Sequence, residues 1–273
     1  MLEILKAILY GIVEGVTEWL PISSTGHLIL LEQWVPMNVS DEFMSMFDVV
    51  IQLGAILAVV VLFFRKLWPF SPDREKNRRT WMLWGKVVAA VIPSAAAGFL
   101  LDDWMDAHLY NAWVVALMLI VYGVAFILVE RQNRGGKHLV STVENLSIQD
   151  ALLIGAFQCL ALIPGTSRSG ATILGGILLG VSRPAAAEFS FFLAIPTMVG
   201  ASGLKMVKFL AGGGGFSGQE AAILAVASLV SFLVSLAVIR GLMDYVRRHS
   251  FAAFGVYRII LGAAVLVYFL IVR

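Results

Sequence analysis

Four ionisable side chains stand inside otherwise apolar stretches of this 273-residue chain: Glu14, Glu18, His27 and Arg168. On insertion scales a charge at the centre of a membrane helix costs roughly 2.5–3.5 kcal/mol. Three isolated ions would therefore offset much of the net stability of a whole domain, about 5–15 kcal/mol. These groups must pair, hydrate or bind something. Glu14 and Glu18 are four residues apart, which puts both carboxylates on one face of a helix. Like charges so close either share a proton or are held by a cation, for which Mg²⁺, Ca²⁺ and Arg168 are the candidates. A neutral glutamate that only joins helices is the structural alternative.

Hydroxyls cluster near these ions. Ser23, Ser24, Thr25 and Gly26 follow Pro21 and precede a helical run, the composition of a helix N-cap, and capping alone suits Ser23 or Thr25 equally well. Ser24 is the better candidate nucleophile, because His27 lies three residues on along the same helix face and could serve as its base. A second polar stretch, Pro-Gly-Thr-Ser-Arg-Ser-Gly-Ala-Thr at 164–172, supplies Gly165, Thr166, Ser167, Ser169 and Thr172 around Arg168. Free N–H groups at helix N-termini attract anions, and a planar guanidinium suits phosphate. If the two stretches meet, they form a phosphate site. An ion pair of Arg168 with Glu14 or Glu18 that merely locks the two halves is the competing reading.

The elements that position these groups follow from composition. Hydrophobic residues make up 59% of the chain and charged residues 14%, which excludes a soluble globule. A net charge of +2, from 20 Lys and Arg against 18 Asp and Glu, gives no footprint for nucleic acid. The lone Cys159 excludes an intrachain disulfide or a cysteine-based metal cluster. Six apolar runs are long enough to span a bilayer: Phe47–Phe64, Trp81–Leu101, Ala112–Val129, Pro184–Leu204, Ala221–Ile239 and Phe251–Val272. Arg258 falls inside the last of them, with Glu188 as a candidate partner.

Two further apolar stretches, Leu2–Trp34 and Ala151–Gly180, are broken at mid-length by the polar clusters. Irregular backbone at bilayer depth is tolerated only where protein or a wet cavity surrounds it, so each is read as a re-entrant pair of half-helices. The chain then forms one integral membrane domain over 1–273, with a first repeat at 1–130 and a second, inverted repeat at 145–273. Each repeat holds one re-entrant pair and three spans. A shift of 144 positions superposes the breaks and matches Gly11/Gly155, Ser23/Ser167, Gly26/Gly170, Ile29/Ile173 and Leu30/Leu174. Basic residues gather in alternate loops: Arg65, Lys66, Arg74, Lys76, Arg78 and Arg79, then Arg131, Arg134 and Lys137, then Arg240, Arg247 and Arg248. The intervening loops carry Asp102, Asp103 and Asp106, or the run Gly212–Gly215. By the positive-inside rule the basic loops are cytoplasmic and the first re-entrant pair faces outside, although Lys205 and Lys208 run against the pattern. Gly11/Gly15 and Gly176/Gly180 read as close helix packing, and Trp34, Trp68, Trp81 and Tyr110 as an interfacial belt.

The stretch Glu-Gly-Val-Thr-Glu-Trp-Leu-Pro-Ile-Ser-Ser-Thr-Gly-His at 14–27 resembles the undecaprenyl-diphosphate phosphatases, the bacitracin-resistance family. So do the stretch at 164–172 and Glu-Phe-Ser-Phe-Phe-Leu-Ala-Ile-Pro at 188–196. The resemblance covers essentially the full length. It implies a multi-pass protein of the bacterial cytoplasmic (inner) membrane that releases the terminal phosphate of undecaprenyl diphosphate to recycle the lipid carrier of cell-wall synthesis. It also implies a site open to the outer side and a divalent cation, Mg²⁺ or Ca²⁺. The family's essential residues fall by position on Glu14, Glu18, Ser24, His27 and Arg168, with Ser167 and Thr172 beside them. The expected partners are the polyprenyl diphosphate and membrane lipids; a homodimer is allowed and nucleic acid is not expected.

On this reading Ser24 attacks the distal phosphorus, Glu18 or His27 takes its proton, and Arg168 with backbone N–H groups stabilises the transferring phosphoryl group. Two roles for Glu18 stay open, base or metal ligand with Glu14, and water remains an alternative nucleophile. A polyprenyl-phosphate flippase or transporter is the rival from another class, since inverted repeats and broken helices serve transport as well. The other polytopic lipid phosphatases carry a histidine after a Ser-Arg motif, which the stretch at 167–172 lacks.

Overall fold

The computed structural model describes residues 1–109, 111–133 and 138–271, the side chains of 102, 103, 106 and 107 aside. Tyr110, Arg134, Lys137, Val272 and the side chains of Asp102, Asp103 and Asp106 lie outside the described residues. Among the described residues every named element is a helix, and the pairing of Val140 with Val181 is the one β-bridge.

Among the described residues six helical stretches are long and apolar enough to cross a membrane. The first, Asp41–Leu62, is built of α3 (Asp41–Val50) and α4 (Gln52–Leu62). The second lies in α6 (Arg74–Leu109), after the single turn α5 (Phe64–Leu67). The others are α7 (Ala112–Gln132), α10 (Arg183–Ala211), α11 (Gly218–Val246) and α12 (Ala252–Ile271). Several begin earlier than the apolar runs suggest, because side-chain caps start the helix before the hydrocarbon-like residues do. Ser40 accepts from Phe43 N–H at 3.1 Å, Ser182 from Ala185 N–H and Ser217 from Glu220 N–H at 3.2 Å. The spans leave Leu57, Val61, Leu117, Val121, Leu229 and Leu233 exposed, a surface suited to lipid rather than water.

Four shorter helices among the described residues form two hairpins. In the first, α1 (Leu2–Thr17) and α2 (Ser24–Trp34) are tied together at the open end. Lys6 Nζ donates to the Pro36 carbonyl at 2.6 Å, and Asn38 N–H donates to Glu3 Oε2 at 3.0 Å. In the second, α8 (Ile148–Cys159) and α9 (Arg168–Leu178) are closed by Leu139 N–H to the Gly180 carbonyl at 2.9 Å and Ser182 N–H to the Val140 carbonyl at 2.8 Å. At 11 to 16 residues, each of these helices is shorter than the roughly 20 residues a full crossing needs.

Each hairpin packs on a long helix from the other half of the chain. A Cβ added to Gly11 of α1 would sit 2.5 Å from the Ala227 carbonyl oxygen of α11, and one on Gly15 2.8 Å from that of Ser231. Gly155 of α8 meets the Ala90 carbonyl of α6 in the same way. These glycines let backbones touch, as the spacing of Gly11 and Gly15 predicts. Gly176 also packs closely, against Ala186, whereas Gly180 serves a different purpose: its φ of +82° turns the chain at the end of α9.

Ion pairs and a hydrogen bond join helix ends that flank the basic loops. Lys66 bridges Glu188 at 2.7 Å and Glu144 at 3.0 Å, Arg183 Nε donates to Glu130 at 2.9 Å, and Phe251 N–H donates to the same carboxylate at 3.0 Å. The base of the second hairpin lies at this end. At the base of the first hairpin, Trp34 meets Tyr268 of α12 edge-on, with ring centroids 6.1 Å apart. The expected Arg258–Glu188 pair does not form. Glu188 sits at the basic end with Lys66, while Arg258 turns inward onto backbone carbonyls.

Candidate active site

Both polar breaks use the same local device. Ser23 and Ser167 are the positive-φ residues other than glycine among the described residues, at 74° and 73°. Each then accepts a hydrogen bond from the backbone N–H three residues on: Ser23 Oγ from Gly26 at 3.3 Å and Ser167 Oγ from Gly170 at 3.1 Å. These two serines are therefore N-caps, which leaves Ser24 and Arg168 as the first residues of α2 and α9. A hydroxyl and a guanidinium thus occupy the same position in two superposable motifs, each beside a helix N-terminus with its unsatisfied N–H groups.

The hairpin tips touch, and Glu18 joins them. Ser24 Oγ donates to Glu18 Oε2 at 2.7 Å, while Arg168 Nη2 donates to Glu18 Oε1 at 2.9 Å. All three side chains are nearly closed off, Glu18 being 5% and Arg168 10% exposed. Ser169 Oγ closes the junction by donating to the Glu18 carbonyl at 3.1 Å and to that of Leu20 at 3.3 Å. Arg168 also donates through Nη1 to the Ser190 carbonyl at 2.7 Å and to its Oγ at 3.2 Å, and Thr172 Oγ1 lies 2.7 Å from that hydroxyl. The ring of Trp19, 5.8 Å from the Arg168 guanidinium carbon, supports the same group and is itself held edge-on against Phe191. Arg168 Nε is buried and makes no hydrogen bond among the described residues, which leaves it a spare donor.

His27 stands apart from this chain. Its Nδ1 lies 2.7 Å from the Ser23 carbonyl and its Nε2 lies 2.7 Å from the Tyr257 hydroxyl, with the two rings stacked. Of the two candidate bases, the one on the Ser24 hydroxyl is Glu18. Thr25 is half-buried on the first turn of α2, and a Cβ on Gly26 would stand 3.4 Å from Ser23 Oγ and 3.5 Å from a Val115 methyl. Gly165, at φ +88°, lies so close to Val115 that a Cβ there would stand 2.5 Å from its carbonyl oxygen. Thr166 is fully buried and its Oγ1 has no partner among the described residues.

Glu14 is fully buried one turn before Glu18, and neither of its carboxylate oxygens has a hydrogen-bond partner among the described residues. An orphaned buried carboxylate calls for a proton or a cation. Two glutamates one turn apart, with substrate oxygens, are a donor set that Mg²⁺ or Ca²⁺ accepts. No cluster of three or more metal-ligating side chains occurs among the described residues, so substrate or water would have to complete the shell. Sequence reasoning missed Ser190, Trp19, Tyr257 and the role of Arg258. Ser190 did carry a signal, as the hydroxyl inside the phenylalanine-rich run at 189–192.

Six apolar spans around a buried acid–hydroxyl–guanidinium chain define a multi-pass helical membrane protein with its polar centre inside the bundle. The chain belongs to the BacA family: the family model described as bacitracin resistance protein BacA matches residues 7–264. It is 59% identical over 275 residues to an undecaprenyl-diphosphatase of Acetivibrio thermocellus, covering 100% of both chains. It is 57% identical over 270 residues to one of Streptococcus thermophilus, covering 98% of this chain and 94% of the relative. A third relative of the same description, from Lactiplantibacillus plantarum, is 56% identical over 275 residues, with both chains fully covered.

Proposed function

We infer that the chain is an undecaprenyl-diphosphatase that converts undecaprenyl diphosphate to undecaprenyl phosphate and inorganic phosphate, recycling the cell-wall lipid carrier. The observation that carries this reading is the continuous link Ser24–Glu18–Arg168, a hydroxyl on a carboxylate on a guanidinium. The hydroxyl donates to the carboxylate, as a nucleophile donates to its base.

Ser24 Oγ attacks the distal phosphorus and passes its proton to Glu18, the Oγ–P bond forms, and the bond to the bridging oxygen breaks to release undecaprenyl phosphate. Glu18 hands that proton to the departing phosphate oxygen, and the restored carboxylate then deprotonates a water that attacks the phosphoserine; the P–Oγ bond breaks, Oγ takes its proton back from Glu18, and inorganic phosphate is freed. Arg168 and the N–H groups opening α2 and α9 stabilise the equatorial oxygens, which carry the charge of a loose transition state. Were Glu18 a metal ligand rather than the base, a divalent cation held by Glu14 and Glu18 would supply further charge neutralisation on the diphosphate. Ser190 and Trp19 hold the Arg168 plane, and Thr172 holds Ser190.

The hairpins act as re-entrant pairs in an inverted repeat. Support comes from their bases, which lie at opposite ends of the bundle, and from the matching Ser23 and Ser167 caps. With the basic end cytoplasmic, the first hairpin opens to the outer side, and the site opens with it. An apolar cavity of about 710 Å³ lined by Val13, Val16, Leu20, Ile22 and Phe254 reaches His27 and Tyr257, and it suits the isoprenoid tail. The test is phosphate release by purified protein in detergent from polyprenyl diphosphates, with and without chelator. Release that depends on Ser24 and Arg168 supports the reading, and binding or movement of lipid without release would turn it toward transport.

A further inference from the structure

Arg258 is a second guanidinium at the meeting point of the hairpins, outside the reaction derived above. It lies on the stripe Gly255, Arg258, Gly262 and Val265 that α12 buries. The two glycines bring α12 against α7: a Cβ on Gly255 would stand 2.6 Å from the Gly123 carbonyl oxygen, and one on Gly262 2.8 Å from that of Ala116. This close approach drives the arginine side chain past α7 and into the core, where it is 0% exposed.

Its described hydrogen bonds all run to backbone carbonyls, and those carbonyls come from three separate segments. Nη1 donates to Pro21 of the first tip at 3.1 Å. Nη2 donates to Gly165 at 2.7 Å and Thr166 at 3.0 Å in the second tip. Nε and Nη2 reach Leu119 and Met118 of α7, both at 3.4 Å. The guanidinium carbon lies 5.4 Å from the Tyr122 ring, and Nη1 would be 3.3 Å from a Cβ on Gly170, in the first turn of α9. Irregular backbone in a membrane interior must find donors for its carbonyls. One planar fork supplies them to both breaks at once, which a lysine's point charge cannot do.

We propose that Arg258 is a positioning residue for phosphoryl transfer: it clamps the two hairpin tips to α7 and to each other, so that Ser24 and Arg168 face one phosphate. The proposal rests on the phosphatase reading for its kinetic consequence but not for the clamp itself. The experiment compares Arg258→Lys, Arg258→Gln and Arg258→Ala in detergent by amide hydrogen exchange and by phosphate release. Loss of the clamp is expected to speed exchange about tenfold or more over 18–26 and 164–170, while α3, α4 and α11 stay protected, since local opening need not spread to the fold. A tip displaced by about 1 Å is expected to lower kcat about 100-fold with little change in KM. Methylguanidinium should restore turnover to the Ala variant and none to Ser24→Ala. If the Ala variant fails to fold, the Lys and Gln variants carry the same comparison.

Unchanged exchange at the tips would overturn the proposal. So would exchange that rises equally everywhere, or near-normal kcat in the Lys and Gln variants of an active enzyme. If the unaltered chain releases no phosphate, the phosphatase reading falls and the exchange data alone decide the clamp.

Discussion

Glu18→Gln separates the chemical part of Glu18 from its structural part. The carboxylate presents Oε2 to Ser24 at 2.7 Å and Oε1 to Arg168 at 2.9 Å. An amide has one oxygen to offer. Turned toward Ser24, that oxygen would leave the NH₂ facing the N–H of Arg168, donor against donor. Turned toward Arg168, it keeps the tip junction and sets the NH₂ against a hydroxyl that can accept. The second arrangement wins, so Ser24 keeps its place and loses its base. General-base assistance is worth about 10²–10⁴ in rate, or about 2.7–5.4 kcal/mol at 1.36 kcal/mol per tenfold. Removing the counter-charge leaves a buried guanidinium, for which broken buried pairs set a cost of about 3–5 kcal/mol in stability. In the substrate complex the diphosphate replaces that counter-charge, so binding is not weakened. The expected result is a kcat lowered by about two to four orders of magnitude with KM unchanged or smaller. Phosphate release in detergent, with size-exclusion elution as the folding check, measures it. A kcat within tenfold of the unaltered chain, or a loss confined to KM, would refute the reasoning.

Further expectations follow from the same geometry. Ser24→Ala should abolish the acid-stable phosphoserine trapped after mixing with substrate labelled in its distal phosphate, and should lower turnover by at least about 10². Gly165→Ala combines a φ of +88° with a contact 2.5 Å from the Val115 carbonyl oxygen, so it should lower the melting temperature and reduce activity, as strained backbone costs about 1–3 kcal/mol. Ala253 also lines the apolar cavity, so Ala253→Trp should fill it, raise KM for C55 diphosphate and leave a short-chain diphosphate unaffected. Cysteines placed at Asn38 and at Arg247 should be labelled by a membrane-impermeant reagent from opposite sides of the membrane; labelling from one side would break the re-entrant reading.

Much of this architecture is legible in the sequence because a membrane makes the code strict: long apolar runs must be helices and interrupted ones must hide their breaks. The six spans and the position of both breaks follow from that rule. The acid, hydroxyl and guanidinium were legible as ions and nucleophiles out of place. What a one-dimensional pattern hides is orientation. Spacing set His27 beside Ser24, yet the Ser23 cap rotates Ser24 toward Glu18, while His27 turns to Tyr257, which lies 230 positions away in sequence. Arg258 invited a carboxylate partner because charges suggest countercharges. Its partners are carbonyls, which every residue carries and no sequence marks. Glu188 looked available only because Lys66, 122 positions away, gives no sign of folding back onto it.

The central claim is that the two hairpin tips, far apart in sequence, make one reactive centre. A double-mutant cycle on phosphate release tests it most directly, with Ser24→Ala, Arg168→Ala and the pair together. Groups that act as a unit lose their effect together, so the double variant is expected to be about as active as the worse single variant. A double variant whose loss equals the product of the two single losses would mean that Ser24 and Arg168 act independently, and it would contradict the account.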